Sequence, residues 1–191
     1  MKRALVLLLG IAVLSLASSA SNVVDQQDLV ANANMAAFYQ TDLAQSFTPS
    51  ANNSSGAAIY LWAGSDGITI SLWDGLPNAG GAELASGSTA GAVATNDWAT
   101  VNWSPVSVTP GTTYYLVFDS INSDASIWGD VDNNYPGGEV YANSGYEAFG
   151  SYDYTFQEFA SNGTVPTPEP GSMSLLAGGL LALGSLIRRK R

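Results

Sequence analysis

The sequence predicts an all-β fold, an antiparallel β-sandwich, on three observations. Apolar residues recur mostly with period two, the runs are short, and clusters of Gly, Pro, Asn and Asp break them repeatedly. Period two sends alternate side chains to opposite faces, so one face of each strand can be buried while the other stays polar. Many short strands so punctuated pack as two sheets around one core.

Strands are predicted over 43–47, 57–62, 68–73, 98–103, 113–118, 126–128, 139–142 and 152–156. The clearest is 68–73, where Ile68, Ile70 and Leu72 alternate with Thr69, Ser71 and Trp73; the aliphatic face is the expected core. Turns are expected at Asp74 and Gly75 and over 77–81, 109–111 and 135–138, where Pro presets its own φ and Gly supplies a positive one. The segment 26–39 mixes Ala, Leu and Met without a convincing helix cap and reads as loop or edge strand.

Composition bounds the chemistry. The chain has 191 residues, and 21–164, between two apolar ends, has the size of one domain. All six basic residues are terminal: Lys2, Arg3, Arg188, Arg189, Lys190 and Arg191. Of the sixteen acids, fifteen lie between Asp25 and Glu158, and Glu169 follows. A domain with no Lys or Arg cannot displace counterions from phosphates, which excludes nucleic-acid partners. Without Cys or His there is no disulfide framework and no thiolate or imidazole metal site, leaving oxygen-ligated Ca²⁺ as the metal to consider.

The two ends read as addresses. Residues 1–20 have the form of a signal peptide: Lys2 and Arg3, an apolar run over 4–16, then Ala17, Ser18, Ser19 and Ala20, with cleavage expected after Ala20 by signal peptidase. The uncharged stretch 172–187 is expected to form a transmembrane helix of roughly 24 Å, slightly short of a hydrocarbon core of about 30 Å, and the basic end 188–191 can bridge the deficit. Terminal basic residues favour the cytoplasmic side, which puts the domain outside. Ser174, Gly178 and Ala182 would share one face of that helix as a packing stripe.

Pro168, Glu169 and Pro170, followed by this apolar stretch and the basic end, resemble the PEP-CTERM sorting signal over 165–191. The resemblance implies an exported protein, first anchored in the inner membrane. An exosortase, a membrane protease of bacteria that build extracellular polysaccharide, would then cut the tail and leave the protein at the cell surface or in the extracellular matrix. Within the domain, Ala44 to Thr48, Ile70 to Gly75, Val108 to Val117 and Tyr135 to Gly138 resemble, in that order, jelly-roll modules of bacterial surface proteins. That likeness implies a jelly-roll-like fold rather than an activity.

Little catalytic inventory remains. Ser, Thr or Tyr nucleophiles need a neighbouring base, and the exported region has neither His nor Lys. A glycosidase needs two carboxylates at a set separation, and no spacing nominates a pair. The expectation is therefore a non-enzymatic protein. Asp130, Asp132 and Asn134 place oxygens at alternate positions, like the start of a calcium loop, but Tyr135 stands where the turn Gly of an EF-hand belongs and Tyr141 where its Glu belongs. The plain alternative is an Asx-rich turn. If Ile59 and Leu61 point inward, Tyr60 and Trp62 point outward, as Trp73 does beside Leu72. Trp62 and Trp73 are thus the candidates for stacking on sugars in a carbohydrate-binding alternative.

Overall fold

The computed structural model describes residues 21–162. The expected signal peptide over 1–20, the motif Pro168, Glu169 and Pro170, the helix over 172–187 and the basic end lie outside them. Among the described residues are β1 (Asn22–Asp28), β2 (Ala33–Ala37), β3 (Leu43–Phe47), β4 (Asn53–Ala63), β5 (Ile68–Trp73), β6 (Glu83–Ser88) and β7 (Asp97–Ser107). The chain continues through β8 (Tyr114–Ser120), β9 (Ser126–Asp130), β10 (Val140–Ala142), β11 (Glu147–Phe149), β12 (Asp153–Tyr154) and β13 (Phe156–Ser161). Besides loops, two short 3-10 turns, Phe38–Gln40 and Pro77–Ala79, separate strands among the described residues.

The strands form two antiparallel sheets, the expected sandwich. The larger runs β1-β13-β4-β9-β12, with β7 also beside β4 and β2 beside β9; the smaller runs β11-β10-β3-β8-β5-β6. Inward positions of both sheets meet in a single apolar layer. Ile59, Leu61, Ile127 and Phe156 from the larger sheet pack against Leu43, Phe47, Ile70, Leu72 and Leu116 from the smaller one, all essentially sealed from solvent.

Two glycines let backbones approach where the sandwich closes. A Cβ on Gly87 of β6 would stand 2.9 Å from the Asn102 carbonyl of β7, so the edges of the two sheets can lie against each other only there without a side chain. A Cβ on Gly138 would overlap the Ser46 carbonyl at 1.8 Å, and Gly138 thereby lets the loop before β10 lie along β3.

A polar bridge crosses the core. Gln45 of β3 is fully buried; its amide Nε2 donates to Asp153 Oδ1 of the opposite sheet at 2.9 Å, and its Oε1 accepts from the Tyr154 backbone N–H at 2.8 Å. Asp153 Oδ2 in turn accepts from the Tyr135 N–H at 3.2 Å. A buried amide satisfied on both sides fixes how the sheets are superposed, since a slip of either leaves donors unpaired.

The strands expected over 43–47 and 68–73 form with those bounds, and the others form with different ones. The predicted strand over 152–156 is broken at Thr155, whose N–H donates to the Trp128 carbonyl while its own carbonyl accepts from Tyr60 N–H; the chain there leaves β9 and joins β4. The ambiguous segment 26–39 holds the end of β1 and all of β2, strands at the margin of the larger sheet.

Phe47→Ala, which empties a fully buried ring position, is expected to cost about 3–5 kcal/mol in denaturant unfolding, whereas Ile121→Ala, on a side chain 78% exposed, should stay within about 0.5 kcal/mol. Similar losses at both positions would contradict this core.

Candidate functional site

The alternation of β4 decides where its aromatic residues stand. Ile59 and Leu61 are buried, so Tyr60 and Trp62 emerge on the outer face of the larger sheet, with Trp62 41% exposed. Register brings partners to both. Tyr60 pairs directly with Trp98 of β7, the rings 5.2 Å apart, and Trp62 lies 4.2 Å from Trp128 of β9 at an interplanar angle of 56°.

Asn96, at φ +57° in the turn before β7, ties the two pairs together. Its side-chain oxygen accepts from the Trp128 indole N–H at 2.9 Å, its carbonyl accepts from the Tyr60 hydroxyl at 3.1 Å, and its N–H donates to the Leu61 carbonyl at 2.9 Å. Asn tolerates the left-handed conformation this turn requires.

Trp73 does point outward, but from the other sheet. It is half-buried, its indole N–H donates to Ser71 Oγ at 2.8 Å, and it stands opposite Tyr115 of β8. Trp62 and Trp73 therefore lie on outer faces of opposite sheets and cannot contact one ligand together. Sequence parity gave the direction of both and missed Trp98 and Trp128. A cue for Trp98 was its place one residue before the inward Ala99; Trp128 sits in a run too short to show alternation.

The loop at Asp130, where the spacing of Asp130, Asp132 and Asn134 suggests the start of a calcium loop, holds an Asx-type turn. Asp130 is fully buried, and Oδ1 accepts from Asp132 N–H at 3.0 Å and from the Asn32 amide at 2.8 Å. Oδ2 accepts from Asn134 N–H at 2.9 Å and from the Asn134 side-chain amide. Burial alone would raise its pKa, but these donors outweigh it and hold the carboxyl below its ordinary value. The carboxylate is the acceptor of an Asx-type turn, with both oxygens committed to N–H groups. Among the described residues, no group of three or more acidic side chains is arranged to hold a metal ion.

Asp153 pairs in register with Asp130, and burial, with the charges of Asp28 and Asp130 adding, pushes its carboxyl up to about 6 despite its two hydrogen bonds. Glu158, fully buried on the inward side of β13, is pushed up to about 8, first by burial and then by the charge of Asp25; a nearby Ser54 hydroxyl offsets only part. Among the described residues, neither Glu158 oxygen has a hydrogen-bond partner within bonding distance. A raised pKa suits a general acid only where substrate can reach it, and both carboxyls are sealed between the sheets.

Open clefts also mark the surface, among them two beside aromatic residues. One, of about 320 Å³, is lined by Phe38, Asp42, Phe118, Asp119 and Tyr146; the other, of about 390 Å³, by Ser46, Tyr115, Glu139 and Tyr141. Each contains a carboxylate, unlike the ring cluster on β4.

The chemistry thus defines a rigid β module, and the address lies in the C-terminal tail. Residues 166–191 match the PEP-CTERM protein-sorting motif. The chain is accordingly an exported protein, held at the membrane before processing, and a substrate of exosortase, a membrane protease. No curated protein and no solved structure matches the chain.

The buried carboxyls give a pH signature. In the folded chain Glu158 keeps its proton up to about pH 8, whereas the unfolded chain loses it near its ordinary value of 4.5, so stability falls as pH rises from about 4.5 to about 8. Asp153 contributes in the same direction, from 3.8 to about 6. Urea unfolding at pH 5, 6, 7 and 8 should show this decline, and Glu158→Gln should flatten its portion above pH 6. A parent protein equally stable at pH 6 and 8 would contradict the assignment.

Proposed function

We infer that the chain is a secretory precursor whose β domain ends as a non-enzymatic component of the cell surface or extracellular matrix. The observation that carries this reading is the sorting motif over 166–191 joined to a domain without a basic side chain. Signal peptidase removes 1–20 after Ala20. The stretch 172–187 then stops in the membrane with Arg188, Arg189, Lys190 and Arg191 on the cytoplasmic side and the domain outside.

The tail suits removal better than permanent anchorage. Its sixteen apolar-stretch residues include Ser172, Ser174 and Ser185 and are short for a hydrocarbon core of about 30 Å. The cut is placed near Pro168, Glu169 and Pro170, the residues that give the sorting motif its signature.

The absence of catalysis is supported by the residue inventory together with the burial of the two most perturbed carboxyls. With no His or Lys in 21–164, hydroxyl nucleophiles lack those bases, and Asp153 and Glu158 are fully buried.

Intact-mass measurement in an exosortase-bearing host tests the processing step. The mature form is expected to lack residues 1–20 and 188–191, and Glu169→Ala combined with Pro170→Ala should leave the uncut precursor in the membrane fraction. A mature form that keeps the basic end, or one unaffected by the double substitution, would make the tail an anchor.

A further inference from the structure

The outer face of the larger sheet is uncharged in a domain whose ionisable side chains are otherwise acidic. Outward positions of β4, β7 and β13 hold aromatic, amide and hydroxyl groups, glycine or alanine, and Asp130, two residues beyond Trp128 on β9, is fully buried. Tyr60, Trp62, Trp98 and Trp128 cluster at one end of this face, and the Asn102 and Gln157 amides lie farther along it, hydrogen-bonded to Asn22 and Gln27 of β1. We propose that this face binds a neutral polysaccharide, with Trp62 as the ring on which a sugar stacks. The proposal rests on the reading of the domain as a non-catalytic module held outside the cell.

Two features favour that occupant. Aromatic rings offer flat apolar faces to the C–H faces of pyranoses, and this end of the sheet gathers four of them. The rings are also held in place before any ligand arrives. Trp128 is fixed through Asn96 and Trp62 rests against it, so little side-chain freedom remains to be lost on binding.

Charge and size select among polymers and partners. Fifteen carboxylates without a basic side chain repel uronate or sulfate polymers, while the one uncharged sheet face imposes no such barrier on a neutral chain. A second protein molecule needs roughly 800 Å² per partner. Here one exposed indole stands among half-buried rings tilted at 41° and 56°, a stepped contact the width of one or two sugar residues.

The test uses the full chain purified in mild detergent, titrated with neutral hexasaccharides of glucose, mannose, galactose and xylose and with polygalacturonate as the charged control. Calorimetry and tryptophan fluorescence are the readouts. At least one neutral hexasaccharide is expected to bind, with Trp62→Ala weakening it roughly tenfold, Trp73→Ala leaving it unchanged, and melting temperature unaltered in both. The proposal is overturned if no neutral hexasaccharide binds at millimolar concentration, if Trp62→Ala binds equally well, or if polygalacturonate binds best. It is also overturned if the face instead supports a self-association that Trp62→Ala abolishes. Binding is read on purified protein whether or not the tail is cut, so its failure and a failure of processing are separately visible.

Discussion

Everything in this domain depends on how two sheets are kept face to face without a covalent link. The chain has no cysteine, so the sandwich relies on one apolar layer between the sheets and on the buried Gln45 that reaches from β3 to Asp153 and Tyr154. Apolar burial is strong but non-directional, and a layer of Ile, Leu and Phe tolerates more than one relative placement of the sheets. The amide supplies the direction. With both ends of Gln45 committed, a slip of either sheet would strand this buried amide.

The acidic groups show how such a core accommodates charge. Asp130 keeps its negative charge at a fully buried position because four N–H donors surround it, whereas Glu158, with no hydrogen-bond partner among the described residues, is held neutral by its surroundings. The same residue class thus serves two purposes. In one place it organises a turn, and in the other it fills core volume as an uncharged acid. Neither use exposes a reactive group, and the outer face of β4 is left as the part of the larger sheet with exposed aromatic chemistry.

Much of this was legible where one face is buried and the other wet. The strands at 43–47 and 68–73 have the bounds their residue pattern dictates, and the inward set Ile68, Ile70 and Leu72 is fully buried. β6 and β11 escaped notice because they are partly exposed edge strands of Ser, Ala, Gly and Glu with little apolar contrast between their faces. β1 and β2 were obscured by Gln, Asn and Ala, residues depleted in strands that form here because β13 and β9 offer them a ladder. For the site, alternation shows which way an aromatic residue points but not which sheet carries it, so Trp62 and Trp73 looked equivalent until the pairing separated them. Oxygen spacing at Asp130, Asp132 and Asn134 likewise does not reveal that Asp130 accepts from two backbone N–H groups and from the Asn32 and Asn134 amides.

The position of β13 has a mechanical consequence. This last described strand is not at an edge: it lies between β1 and β4, hydrogen-bonded on both sides. Tension applied along it, between whatever its C-terminal end is joined to and a load gripping the face of β4, would draw the strand lengthwise past both neighbours. Two ladders then bear the force at once and must rupture together, in shear, rather than opening one hydrogen bond at a time like a peeled edge. Resistance to such extraction is then set by the height of the barrier to shearing rather than by equilibrium stability, because forced unfolding is governed by the unfolding rate.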